Sequence, residues 1–550
     1  MASSNKNISK KELRFLKVIV ALLLFCVQNF GTAQEAAATD SAFRAVPQAK
    51  LQKPNILLIM ADDLGFSDLG CYGGDIETPN LDSLAANGMR FTQFYNTARC
   101  WPTRAALLTG YYAQQIRRDA LPAMKIGKRP AYAKLLPELL KVEGYRSYHS
   151  GKWHLDGMPL KAGFDRSYYL KDQGRFFYPK IHWKDDRKLD PVDVGSGYYA
   201  TTAVADHAIE CLKSHESDHP DKPFFHYLAF TAPHFPLHAL PSDIKKYEDR
   251  YHVGWDEIRA SRWKRIRELG IVAGDISKVE SQIGPPYDFP NAIKKLGEGE
   301  VNRPLPWAKL SQGQRDFQAK KMAIHAAMID RMDQEIGRVL EQLKAMNQFE
   351  DTLIVFLSDN GASAEIMVRA DGHDATAPAG SGKSYLCLGP GWSTVCNTPF
   401  RRHKTWVHEG GIRTPFIAHW ANGKFAKNSL NKTLGHVVDV VPTLLDLAGV
   451  ETESVRGVLA RPGRSIAPLF SGKAMPRSKT IWWLHEGNRA LRTDNWKIVA
   501  AKDEPWSLYD MENDPAETSD LAEVDAVRVA EMKALWQKQL DQFIEMNSAK

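Results

Sequence analysis

The sequence predicts an α/β fold: a mostly parallel central sheet with helices on its faces, followed by a smaller α+β subdomain. Three observations carry this. Short, mainly apolar runs alternate with stretches of helical periodicity, the pattern of strands joined by crossover helices. The runs are apolar enough to be buried on both faces. Four of them are followed by charged or histidine residues, and in open α/β sheets ligands sit beyond the carboxyl ends of strands.

The first residues are not part of that fold. Lys6, Lys10, Lys11, Arg14 and Lys17 form a basic region, 18–27 an apolar one, and Gly31, Thr32 and Ala33 a small-residue cleavage site. Residues 1–33 therefore read as a signal peptide and 34–53 as a polar leader. The apolar run is too short to cross a bilayer permanently, so the expectation is an exported protein, periplasmic or secreted, with no stable membrane insertion. The formal net charge of +7 on 550 residues falls to about +3 without the signal. No concentrated basic face of the kind nucleic-acid binding requires is left. Removing Cys26 leaves Cys71, Cys100, Cys211, Cys387 and Cys396. Cys387 and Cys396 are close enough to pair in an oxidising compartment, or to stand as two unpaired loop thiols.

Along the chain, strands are expected at 55–60, 145–149, 224–230, 353–357 and 415–418. An insertion over about 235–310, aromatic and basic at first and then proline-rich, has the size and place of a segment that shapes access to a site. Residues 318–343 form a long helix, with Met322, Ile329, Met332, Ile336, Val339 and Leu340 at helical spacing. His325 within it reads as a packed or solvent-facing helical histidine. A helical stretch over 437–449 closes a large domain spanning 54–450. Two strand-like runs, 489–499 and 506–511, and a helix over 527–543 form the α+β subdomain of 451–550.

The residues at the strand ends suggest chemistry. Asp62 and Asp63 follow the first strand, Lys152 and His154 the second, His234 the third, Asp359 and Asn360 the fourth. Adjacent carboxylates repel unless a cation lies between them, and an all-oxygen donor set favours Ca²⁺ or Mg²⁺ over zinc. Arg104, Lys152, His154, His234 and Lys404 supply cations and donors for an anion whose charge shifts in the transition state.

The run Cys100-Trp101-Pro102-Thr103-Arg104, continuing to Thr109-Gly110, resembles the C-x-P-x-R signature of type I sulfatases. In that family the cysteine is oxidised to formylglycine. Gly151-Lys152-Trp153-His154, Ala232-Pro233-His234, Ser358-Asp359-Asn360-Gly361 and Lys404 near Glu409-Gly410-Gly411 match further family elements, and the likeness extends over nearly all of the chain from Pro54. It implies an alkaline-phosphatase-like fold with a mixed, mostly parallel sheet, and one Ca²⁺ held by Asp62, Asp63, Asp359, Asn360 and the residue derived from Cys100. It implies a formylglycine-generating or sulfatase-maturating enzyme as a partner. By the same resemblance Asp359 takes the proton of the attacking hydroxyl, His234 helped by Lys404 protonates the leaving alcohol, and His154 receives the last proton. Arg104 and Lys152 hold formylglycine and sulfate oxygens.

The expected activity is hydrolysis of sulfate esters, with sulfated polysaccharides or oligosaccharides as the leading substrate class. Trp392 could stack on a pyranose, and Arg401, Arg402 or His403 could hold a neighbouring anionic group; loop packing is the other reading of Trp392. A phosphonate monoester or phosphodiester hydrolase of the same superfamily is the nearest rival. A non-catalytic sulfated-glycan-binding protein is a remote one, since every core position is present.

Overall fold

Strand β1 (Asn55–Ala61) is buried along its whole length, and its alternating side chains divide the interior in two. Leu57, Ile59 and Ala61 share one core with Met328, Ile329 and Met332. Ile56, Leu58 and Met60 share the other with Ala106 and Leu107. A strand clad on both faces has no polar side, so it reads as a continuous apolar run. The computed structural model describes residues 53–548 apart from 370, 371, 425, 451–458, 477 and 478. The expected signal peptide and nearly all of the leader lie outside the described residues.

The strands that follow are β2 (Met89–Tyr95), β3 (Arg146–Gly151), β4 (Arg166–Leu170), β5 (His182–Lys184), β6 (Phe224–Ala229), β7 (Thr352–Ser358) and β8 (Arg413–His419). Among the described residues they belong to one eleven-stranded sheet, with β2, β8, β7, β1, β6, β3, β4 and β5 side by side. The run β7-β1-β6-β3-β4 is parallel. Strand β8 is antiparallel to both β7 and β2, which makes the sheet mixed.

Ala61 lies opposite Ser358, and Gly151 opposite Ala229. The parallel strands therefore end level, and the residues after β1, β3, β6 and β7 leave the sheet at one rim. Helix α1 (Cys100–Thr109) begins at that rim and stops at Gly110, whose φ of 76° suits glycine.

Further helices pack around the sheet and the insertion, among them α2 (Ala200–Asp218), α3 (Trp255–Glu268), α4 (Gln312–Ala345) and α5 (Gly389–Cys396). Helix α4 is longer than its apolar periodicity indicates. Ser311 accepts from the backbone of Gln314, whose side chain caps Ser311 in return, so the helix starts at a capping box. The insertion packs back onto the fold, for buried Arg262 of α3 binds Asp68 and Asp75, each at 2.7 Å.

A separate four-stranded antiparallel sheet, β9 (Thr480–His485), β10 (Asn488–Thr493), β11 (Trp496–Ala500) and β12 (Ser507–Asp510), forms the smaller α+β unit with α6 (Ala526–Ser548). The indole of Trp536 on α6 donates to the Trp483 carbonyl at 2.9 Å. No described helix is long and apolar enough to cross a membrane. Cys387 and Cys396 are both free and buried, so the pairing left open by the sequence does not form. His325 is a packed histidine, 3.4 Å from Asp68 and 3.7 Å from the Cys396 sulfur.

Candidate active site

Arg99 is still extended and Cys100 opens α1, so Cys100 sits where free backbone N–H groups and the helix dipole favour negative charge. Its sulfur and carboxylate oxygens of Asp62 and Asp359 all lie within 4.8 Å of one another. Asp62, Asp63 and a His234 nitrogen form a second group within the same limit. Asp63 (φ 66°) and His154 (φ 56°) adopt the left-handed region, a strain that non-glycine residues tolerate where a site dictates it. Four strand ends and one helix start thus supply a single buried cluster.

Its polar contacts are dense. Arg104 donates through Nε (2.9 Å) and Nη2 (2.8 Å) to one Asp359 oxygen. Its Nη1 reaches the Lys152 carbonyl at 3.1 Å and the Tyr227 hydroxyl at 3.3 Å. Lys152 is ion-paired to Asp62. Asn360 donates to Asp63 at 2.7 Å. Lys404 spans Asp63 (2.8 Å) and Glu365 (2.9 Å), and Glu365 also binds Arg99 at 3.2 Å. His234 donates from Nδ1 to the Phe235 carbonyl at 2.6 Å, which turns Nε2 toward Asp63 at 3.7 Å.

Burial, and then the charge of Asp359, raise the Asp62 carboxyl; burial likewise raises Asp359 despite Arg104 and Lys152. Burial followed by Lys404 holds His234 neutral, and burial followed by Lys152 and Arg104 does the same for His154. Burial alone would lower Lys404, but Asp63 and Glu365 outweigh it and keep the ammonium charged. Burial alone would raise Glu365, but Lys404 and Arg99 hold it at about 2.

A divalent cation fits this donor set. Asp62 Oδ1 and Asn360 Oδ1 are buried without a hydrogen-bond partner, a costly state for two oxygens unless something positive faces them. The two raised carboxyls beside them call for the same ion. All the oxygen donors are hard, as Ca²⁺ or Mg²⁺ requires.

The structure brings Asp62, Asp63, Cys100, Arg104, Lys152, His154, His234, Asp359, Asn360 and Lys404 together. It corrects the expected sugar-binding set. Trp392 is wholly buried, with its indole donating to the Gln318 carbonyl at 2.7 Å and rings of Tyr251, Trp255 and Trp307 within 5.9 Å. It belongs to the core that anchors the insertion. His403 is buried against Ser393 at 3.0 Å. Arg401 pairs with Glu280, and Arg402 bridges Glu280 and Glu504 at 3.1 Å each. Those guanidiniums tie loops together.

Glu365, Arg99 and Tyr227 were missed. Glu365 follows the Ser358-Asp359-Asn360-Gly361 element, in a stretch without a motif of its own. Its position six residues after Asp359, beyond a strand that ends at the site, was the available signal.

The family model described as Sulfatase matches residues 54–450, and the model described as N-sulphoglucosamine sulphohydrolase, C-terminal, matches 401–546. An uncharacterized sulfatase of Schizosaccharomyces pombe is 31% identical over 544 residues, covering 89% of this chain and 94% of that protein. An N-acetylglucosamine-6-O-sulfatase of Bacteroides thetaiotaomicron is 25% identical, covering 88% and 86%. The crystal structure of Ps i-CgsB in complex with k-i-k-neocarrahexaose shares the fold, with a TM-score of 0.63 at 24% identity over 89% of this chain and 93% of that one.

Proposed function

The chain belongs to the type I sulfatase family of the alkaline phosphatase superfamily and is a sulfuric ester hydrolase; from that premise we propose that it releases sulfate from sulfated oligosaccharides or polysaccharides, using formylglycine made from Cys100 and one Ca²⁺. The observation that carries the reading is the buried meeting of Cys100, Asp62 and Asp359 beside two unpartnered oxygens. Asp62, Asp63, Asp359 and Asn360 would hold the ion together with residue 100. When bound, the ion supplies Lewis acidity, and formylglycine supplies a nucleophilic hydroxyl with a second one to release the sulfate.

The protein's own groups do the rest. Arg104 fixes Asp359 by a two-pronged contact and so aims the carboxylate that takes the nucleophile's proton. Lys152 neutralises Asp62 and faces the sulfate oxygens. His234 Nε2, 3.7 Å from Asp63, would face the leaving oxygen. It is neutral in the free enzyme, and the anionic ester favours its protonated form, from which the departing alcohol takes a proton. His154 has an unpartnered Nδ1 and can accept the proton of the second hydroxyl. A glycan substrate accords with the relative named for N-acetylglucosamine-6-O-sulfate chemistry. The N-terminal signal-like stretch supports export to the periplasm or beyond, and maturation by a formylglycine-generating enzyme completes the scheme.

The test is sulfate release from defined sulfated oligosaccharides and polymers, with formylglycine at position 100 verified by peptide mass. Release from one glycan class is expected. Cleavage of phosphonate or phosphodiester esters instead, with no sulfate released, would overturn the reading. Chelation followed by Ca²⁺ addition tests the ion without turnover: a cation at 100 times its Kd adds about 2.7 kcal/mol of stability, so Ca²⁺ should raise the melting temperature of wild type and not of Asp62→Ala.

A further inference from the structure

Beside the site opens a cleft of about 640 Å³, lined in part by Trp101, Arg118, His154, Tyr169, Lys171 and Trp183. His154 and Trp101, the neighbour of Cys100, join it to the reacting centre. The chemistry proposed above leaves the rest of it unused.

Its far wall is built on the sheet. Tyr169 and Trp183 are directly opposed residues of the antiparallel β4–β5 pair. Their rings stack 5.0 Å apart at 18°, an arrangement that a cross-strand pair holds rigidly. Trp183 keeps part of its surface open to solvent. Trp101 adds a second aromatic face, edge-on to His154 at 6.0 Å and His485 at 5.3 Å.

The lining is also one-sided in charge. It contains two cationic side chains and no carboxylate. Arg118 and Arg129 share the single Asp156, each at 3.5 Å, so one carboxylate answers two guanidiniums. Lys171 is exposed, with its ammonium 5.9 Å from the Trp183 ring centre, and it has no carboxylate partner among the described residues. A volume of this size suits a small molecule. Flat aromatic faces suit a pyranose ring, and an unmatched ammonium suits an anion on it.

We propose that this cleft seats the saccharide that bears the scissile sulfate, and that Lys171 selects substrates with a second anionic group, a carboxylate or another sulfate. The inference rests on the glycan sulfatase reading. Tyr169 and Trp183 form the floor, Lys171 sets the charge requirement, and Trp101 closes the cleft against residue 100.

The experiment compares kcat/KM for the saccharide found by the panel assay with that for its analogue lacking the second anionic group; 4-nitrophenyl sulfate is a third substrate. Wild type should prefer the doubly anionic saccharide by about tenfold or more. Lys171→Ala should remove most of that preference and Lys171→Arg should restore it. Trp183→Ala should lower the saccharide-to-aryl ratio about tenfold, with recovery in Trp183→Phe. A folding defect lowers all substrates together and leaves the ratios in place. Ratios equal to wild type in Lys171→Ala and Trp183→Ala would overturn the subsite while leaving the sulfatase reading intact. Turnover of 4-nitrophenyl sulfate with no saccharide cleaved removes both the glycan reading and the subsite. No sulfate ester cleaved by formylglycine-bearing enzyme removes the proposed activity itself.

Discussion

On the proposed scheme, the choice of side chain at residue 100 decides whether the enzyme turns over. A serine there keeps a hydroxyl at the start of α1 but has no second one to expel the transferred sulfate. Cys100→Ser is therefore expected to lose at least about three orders of magnitude in kcat, as nucleophile removal does elsewhere, and to accumulate a sulfated peptide visible by mass. Full steady-state activity in that variant would sink the scheme. Glu365 makes the complementary case, since it holds Lys404 and Arg99 at once. Glu365→Gln leaves buried Lys404 and partly buried Arg99 short of a counter-charge and should cost about 3 kcal/mol, read as a lower urea midpoint. It should also lower kcat, because Lys404 then leans on Asp63 alone. Asp62, Asp63 and Asp359 were legible in the sequence because acids directly after apolar strands have few structural reasons to be there. Glu365 was not, because its meaning depends on Arg99, 266 residues away. Of the two readings of Trp392 the stacking one fails and packing holds, in a core rather than a loop, because α5 turns the indole among three other aromatic rings.

The elements divide along the same line. β1, β6 and β7 are enclosed on both sides, and enclosure writes itself into sequence as an apolar run. β2 carries Arg90, Thr92 and Gln93, and β4 carries Arg166 and Ser167, so neither stands out by hydropathy. Both are specified by pairing with β8 and β3. The level strand ends that make the rim a site were anticipated from chain order, whereas the antiparallel sense of β8 was not. How the small sheet is fastened to the large one was also illegible, because beside apolar packing of Trp483 and Val499 on Tyr95 and Val407 the fastening is ionic. Lys497 of β11 sits between Glu409 at 2.8 Å and Glu517 at 2.7 Å, all three fully buried. Glu409 also contacts Tyr95 of β2 at 3.0 Å and Arg413 of β8 at 3.3 Å. Burial and the Glu409 charge raise Glu517, and Lys497 is the largest of the cations that offset them for both acids. Lys497→Met should destabilise the protein by about 3–5 kcal/mol. The Glu409→Gln, Lys497→Met double variant should recover part of the loss, since it removes one of the stranded charges; no recovery would show that the lysine acts through packing alone.

Across the whole molecule the interior stores many neutral histidines. His149 and His207 are lowered by burial to about 3, and burial holds His226, His408 and His436 well below their ordinary range. His207 and His226 share the Ser150 hydroxyl at 2.7 and 2.9 Å. In the unfolded chain each titrates near 6.5. Below that pH the unfolded state binds protons that the folded state refuses, so stability is complete above 6.5 and falls as the pH drops toward the folded values. The slope approaches about 1.4 kcal/mol per pH unit for each such histidine. Asp333 works in the opposite sense, as do the other buried carboxyls raised by burial, Asp62, Asp359 and Glu517; burial raises Asp333 to about 6, so it favours the folded state as the pH falls between about 6 and 4. Between pH 6 and 4 one such acid gives back about 2 kcal/mol, against a similar loss from each of five histidines. The histidines win, and the direction is fixed by their number. Urea unfolding at pH 7.5 and 5.5, in the same salt and with Ca²⁺ held constant, should give a stability lower by several kcal/mol at 5.5, read as a lower midpoint with the same m-value. Equal midpoints would mean that these imidazoles are already protonated in the folded protein, and that the buried network around Ser150 is charged.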